Sequence, residues 1–313
     1  MYKRQAPSCD GCAQELHSGV KGAPWHPWLS YYRGMTRPAP LPQTLAIPFT
    51  FEQAGATGLG RERLRRSDLE APFRGVRALL EPQQLDVFRC ALAVSAAGAF
   101  LSRASAALVY GIPLPSRLES SATVDVAIEG TAHASRQHGL RSRRLLLAPN
   151  DVIQRSGLRI TTPARTWCDL ASVLNEEDLV AAGDFLLWRR NPQMTFAEVA
   201  DAAARHRGRR YRPRLLAALP LLSDRADSRP ETIIRVRVIR AGLPVPEVNP
   251  MIHDDRGRFI AMPDLAFVEY RELIDYEGEV HLTAKQWSKD LKRVPRLEDA
   301  GWHSNRAGSE DLA

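Results

Sequence analysis

Two spacings of apolar residues alternate along this chain. Recurrence every three to four residues predicts helices, and recurrence at every second residue predicts strands. The N-terminal part predicts a helix over residues 51–56, a turn at Gly58, a second helix from Arg61 and a short strand at residues 73–77. Further on, helices are expected over residues 84–96 and from Ser102 to about Gly111, then strands over residues 123–128, 143–147 and 158–161. Thr162-Pro163 reads as a capped helix start, placing Trp167, Leu170, Ala171 and Leu174 on one face and Arg165 within reach of Asp169. Residues 195–204 form another capped helix. A helix opened by Ser228 and Pro230 and closed by Gly242 carries a broad apolar surface of Ile233, Ile234, Val236, Val238 and Ile239. Strands over residues 247–253 and 258–262 flank the turn Asp254-Asp255-Arg256-Gly257. Gly301-Trp302 should begin a last strand. Together these elements make a mixed α/β (α+β) chain.

Acids interrupt the pattern at one place. Leu265, Phe267 and Val268 read as one strand, and Leu273, Ile274 and Tyr276 as the next, yet Asp264, Asp275 and Glu277 sit among them. Strand side chains alternate, so Asp275 and Glu277 share a face, and pairing of the strands brings Asp264 beside them. Carboxylates gathered on a half-buried sheet repel one another and lose hydration. A hard divalent cation, Mg2+ or Mn2+, is the natural compensation for such oxygen donors.

At 313 residues the length favours two or three domains, and 44% hydrophobic with 25% charged residues is ordinary for a globular protein. The net charge of +7, carried mainly by arginine, and a pI near 9.5 permit an anionic partner, with nucleic acid the obvious one. Two runs concentrate that charge. One holds Arg61, Arg63, Arg65 and Arg66; the other spans Arg205 to Arg214 and includes Arg209, Arg210 and Tyr211, an aromatic ring able to stack on a base. No apolar run is long enough for a membrane span and no secretory pattern opens the chain. Four cysteines do not make a disulfide framework, so a cytoplasmic setting is expected, with Cys90 and Cys168 as buried small hydrophobes. Residues 1–34 read as a disordered or non-native tail ahead of a more typical start at Met35. Within it Cys9, Cys12, His17 and His26 have the types but not the spacing of a zinc finger. No Gly-rich phosphate loop or nucleophile elbow points to another enzyme class.

The acidic stretch resembles the PD-(D/E)XK nuclease superfamily, with Asp264 matching its first Asp and Asp275 its second acid. More narrowly, residues 221–313 resemble the small very-short-patch-repair-endonuclease-like domain of many actinobacterial proteins. The matching residues are Pro230-Glu231, Asp264-Leu265-Ala266, Asp275-Tyr276-Glu277-Gly278, His281, and Asp290 with Arg293. Glu277 stands where the superfamily has Lys. The resemblance implies a restriction-endonuclease-like mixed sheet flanked by helices, in which Asp264, Asp275 and Glu231 hold Mg2+ or Mn2+. Glu277 would complete or orient the coordination, His281 would act as general acid or phosphate contact, and Lys292 and Arg293 would give electrostatic support. Relatives continue further at the C-terminus, so truncation there is expected.

Residues 35–82 show helix, Gly-containing turn and arginine-rich helix, the helix-turn-helix order. They resemble the winged-helix unit of abortive-infection type IV antitoxins, and the Ser102 to Pro113 stretch of the mixed region 83–220 resembles the same proteins. Two functions follow from these resemblances. One is a metal-dependent endonuclease. The other is a DNA-binding regulator of the antitoxin type, with an inactive nuclease fold and a toxin partner or a second copy of itself.

Overall fold

Thr50 opens the first helix. Its hydroxyl accepts the amide of Gln53, and the Gln53 side chain accepts the amide of Thr50, so both ends of the first turn are satisfied. The computed structural model that shows this capping box describes residues 38–130, 135–208, 210–278 and 293–312. Expectations for residues 1–34, Arg209, His281, Asp290 and Lys292 lie outside the described residues. Strand β1 (Phe49–Thr50) leads into helix α1 (Phe51–Ala56), and β2 (Leu69–Glu70) and β3 (Val76–Leu79) complete an antiparallel sheet of order β1-β3-β2. Phe49, Ala54, Leu64 and Leu69 close its small core.

The expected second helix is not formed. Its place is taken by one 3-10 turn, Arg63–Arg65, with Leu64 as its single buried side chain. The reason is compositional: the run from Arg61 to Arg66 holds one apolar residue, so a helix there would have no stripe to bury. Arg63 turns instead to Asp68 and grips both carboxylate oxygens, at 2.9 and 2.7 Å. A three-residue turn cannot serve as a groove-filling helix.

The middle region is built on a five-stranded mixed sheet of order β6-β5-β4-β8-β7. Helix α2 (Gln84–Ala93) stops three residues short of the expected end, as the chain turns through Gly98 at φ +82°. Strand β4 (Phe100–Leu101), helix α3 (Arg103–Tyr110) and a one-turn helix α4 (Ser116–Glu119) follow. Strand β5 (Val124–Glu129) pairs in parallel along the whole of β6 (Leu140–Leu145), which therefore starts earlier than its apolar pattern suggested. After β7 (Val152–Arg155) and β8 (Leu158–Thr161), helix α5 (Pro163–Leu170) buries Trp167 and Leu170 as expected. Helices α6 (Glu176–Leu187), α7 (Phe196–Arg205) and α8 (Arg212–Ala218) complete this layer. Cys90 and Cys168 are buried, and burial pushes both thiols up, Cys90 to about 11.

Helix α9 (Arg229–Arg240) is apolar on two sides and uses both. Val236 and Ile239 pack into the core of the middle region. Ile234 and Val238 cover one face of a second sheet, against Val248, Leu265 and Ile274. That sheet has the order β14-β13-β12-β9, from β9 (Glu247–Val248), β12 (Leu265–Phe267), β13 (Glu272–Tyr276) and β14 (His303–Ala307). Its other face packs Ala266 and Leu273 against the hairpin of β10 (Ile252–His253) and β11 (Phe259–Ala261) and against Leu297 of the helical residues 293–299. Four ion pairs tie α9 to α6: Arg229 to Asp178, Arg235 to Asp184, Arg237 to Glu177 and Arg240 to Glu176. The chain from Leu41 onward is accordingly one compact unit, with α9 shared between the middle region and the four-stranded sheet. No helix among the described residues is long and apolar enough to cross a membrane.

Candidate carboxylate site

Register fixes the centre of the site. Strands β12 and β13 are antiparallel with Leu265 opposite Ile274, so Asp264 and Asp275 meet one step further along the same ladder. The amide of Tyr276 donates to Asp264 Oδ2 at 2.7 Å, and the amide of Asp264 lies 3.4 Å from Asp275 Oδ1. Each carboxylate is thus held partly by the backbone of the other's strand.

Glu231 arrives from α9. Ser228 caps that helix by accepting the Glu231 amide, which leaves the Glu231 side chain in the first turn, where the helix dipole favours a negative charge. It is only 7% exposed, and its Oε2 accepts the Asp227 amide at 3.0 Å and Asn249 Nδ2 at 3.1 Å. Asn249 ties the acids together, since its own amide donates to the Asp264 carbonyl at 3.0 Å. It does so at φ +47°, a conformation Asn tolerates better than most residues. Sequence reading passed over Asn249; the Asn-Pro step directly after a short strand was the available signal.

Crowding has an electrostatic consequence. Burial, reinforced by Glu231 and then by Asp275, pushes the Asp264 carboxyl up to about 7, while the Tyr276 amide and Arg293 pull the other way. Arg293, on the helical residues 293–299, donates to Asp275 Oδ2 and is the positive charge of the cluster.

Asp264, Asp275 and Glu231 are therefore brought together, with Arg293 beside them. Glu277 is exposed and pairs with Arg306 of β14 at 2.6 Å. His281 and Lys292 lie outside the described residues. Among the described residues no group of three His, Cys, Asp or Glu side chains is arranged to enclose a metal ion. Two side chains are turned to other partners: Asp275 toward Arg293, Glu231 Oε2 toward Asn249. The chemistry of the donor set nevertheless fits a hard divalent cation, being all oxygen with more negative charge than Arg293 offsets.

The arginines proposed for nucleic acid are dispersed. Arg61 and Arg65 border a cavity of about 370 Å³ with Phe51, Leu64 and Arg77. Arg63 is engaged by Asp68, and Arg66 is exposed. Arg210 is exposed, its guanidinium 5.4 Å from the ring of Tyr211. Arg209 lies outside the described residues.

Comparison with known proteins adds little to these positions. No family model matches the chain, and no solved structure matches it. Uncharacterized proteins from two strains of Mycobacterium tuberculosis are each 32% identical to it over 148 residues. The match takes in 47% of this chain and 54% of each relative, so the chain spans about half the length of the curated relatives it matches.

Proposed function

We propose that the carboxylate site is the centre of a metal-dependent endonuclease-like protein that hydrolyses nucleic-acid phosphodiesters, with DNA the expected substrate and the cytoplasm the expected setting. Asp264, Asp275 and Glu231 would hold Mg2+ or Mn2+. The observation that carries this reading is the β12–β13 register, which sets Asp264 beside Asp275 at the end of the strands to which α9 delivers Glu231. The ion would lower the pKa of a bound water and offset charge on the phosphate. The Tyr276 amide orients Asp264, and Asn249 orients Glu231. Arg293 keeps a positive charge next to Asp275, where an approaching phosphate needs one. Glu277 and His281 follow in sequence from the same strand and are proposed as supporting groups.

Incubating the full chain with plasmid DNA and with RNA, in Mg2+, Mn2+ or EDTA, tests the proposal. Metal-dependent cutting that disappears in Asp264→Ala supports it. Cutting that survives Asp264→Ala, or a shifted band without cut product, overturns it. A shifted band alone would favour the regulator, for which the 3-10 turn at Arg63–Arg65 offers no groove-filling helix.

A further inference from the structure

A second cluster of charge lies in the middle region, away from the carboxylates. A cavity of about 270 Å³ is lined by the basic groups Arg103, Arg144, Arg165, His206 and Arg207, by Tyr211, and by one acid, Asp169, whose Oδ2 is buried without a partner. It shares Arg165, His206 and Arg207 with an adjoining cavity of about 440 Å³. Four separate pieces of chain supply these groups: the first turn of α3, strand β6, helix α5 and the segment after α7.

The arginines differ in how they are satisfied. Arg165 is held on two sides, its Nε donating to Asp169 at 3.0 Å and its Nη1 to Asp151 at 2.6 Å and to the Leu146 carbonyl at 2.9 Å. It shapes the wall. Arg103 is the opposite case. It is 8% exposed and starts α3 at φ +49°, and its side chain makes no hydrogen bond or ion pair with the described residues. Burial and then the like charge of Arg143 lower its basicity, while Asp125 and Asp169 act in the opposite sense without an ion pair to it. The Arg143 Nε is likewise buried without a partner. Asp125, the buried acid of this sheet, is paired at 3.4 Å with Arg141.

Nearby are seven guanidiniums, Arg103, Arg141, Arg143, Arg144, Arg165, Arg205 and Arg207, against four acids, Asp125, Asp151, Asp169 and Asp201, the last paired with Arg205. Burying a guanidinium beside a like charge without a partner is costly, and a left-handed backbone at a non-glycine residue adds strain. Together they are features of a site awaiting an anion. A tetrahedral anion with several acceptor oxygens suits guanidiniums converging from different elements better than a planar carboxylate does. Tyr211, with Arg210 stacked against it, adds an aromatic surface at the wall.

We propose that the pocket between α3, β6, α5 and the 205–208 segment binds a phosphate group, with Arg103 as its buried anchor and Arg207 as its outer arm. The proposal stands independently of the metal reading, because none of these residues belongs to the carboxylate site. Thermal unfolding of the full chain in EDTA tests it, with three probes: orthophosphate, a mononucleotide, and an oligonucleotide with and without a 5′-phosphate. Chloride at equal ionic strength is the control. A saturable rise in Tm is expected for the wild-type chain, with affinity at least about tenfold weaker in Arg103→Gln and Arg207→Ala. Arg207 is exposed, so its removal leaves packing intact and decides the matter even if Arg103→Gln fails to fold. Orthophosphate or mononucleotide acting alone would assign a free phosphate compound, whereas protection confined to the oligonucleotide would assign a nucleic-acid phosphate. No saturable rise with any probe, or equal affinity in wild type and both variants, would overturn the proposal.

Discussion

Tyr276 holds Asp264 across the strand pair: its amide donates to Asp264 Oδ2 at 2.7 Å, at the place where Asp275 faces the Asp264 amide. This reciprocal arrangement keeps two acids adjacent whatever occupies the space beyond them. It also means that the protein carries an electrostatic cost at this point, because Glu231 adds a third carboxylate from α9.

That cost has a pH signature. The folded carboxyl of Asp264 titrates near 7, mainly through burial and then through Glu231, against an unfolded value near 4. A carboxyl raised in the folded state contributes most stability below the unfolded value and loses it as pH rises toward the folded one. In EDTA, Asp264→Asn should therefore raise Tm at pH 8 and leave it almost unchanged at pH 4. The gain should be on the order of 1–2 kcal/mol, allowing for solvent screening of a partly exposed group. Calorimetry across pH 4 to 8 checks the sign.

The ion pair between Asp184 and Arg235 makes a second, independent case. Asp184 is 1% exposed and accepts from the Ser223 amide, the Thr232 hydroxyl and Arg235 at 2.7 to 2.8 Å. Removing the acid strands a buried guanidinium between α6 and α9. Asp184→Ala should cost about 3–5 kcal/mol, and the double variant Asp184→Ala, Arg235→Met should recover part of that loss. Denaturant unfolding of the two variants measures it.

Arg63 should behave as a structural residue. Its fork closes on Asp68, so Arg63→Ala is expected to lower stability by about 0.5–1 kcal/mol. Its effect on the salt dependence of any DNA binding should be negligible. A fall of about one in the slope of log K against log salt would instead place Arg63 on a phosphate.

Much of the local structure was legible in the residues. Helix starts at Thr162, Thr195 and Ser228 announced themselves by caps that the structure makes. The turn ending in Gly257 and the glycines at 111 and 242 sit at positive φ where the chain has to turn. The arginine run from 61 to 66 misled because charge and a preceding Gly imitate a helix-turn-helix, while a single apolar residue, Leu64, cannot hold a helix down. The neighbourhood of Asp264 and Asp275 was legible because strand alternation is local. What Asn249 and Arg103 do was not, since each depends on elements far away in sequence, and no short pattern carries the strand order β6-β5-β4-β8-β7.

Titrating Mn2+ into the metal-free chain at pH 8, followed by calorimetry, tests the carboxylate site most directly. Saturable binding in the wild type, weakened at least about tenfold in Asp264→Asn and in Asp275→Asn, is the expected result. Equal Mn2+ affinity in all three proteins, or none in the wild type, would contradict it.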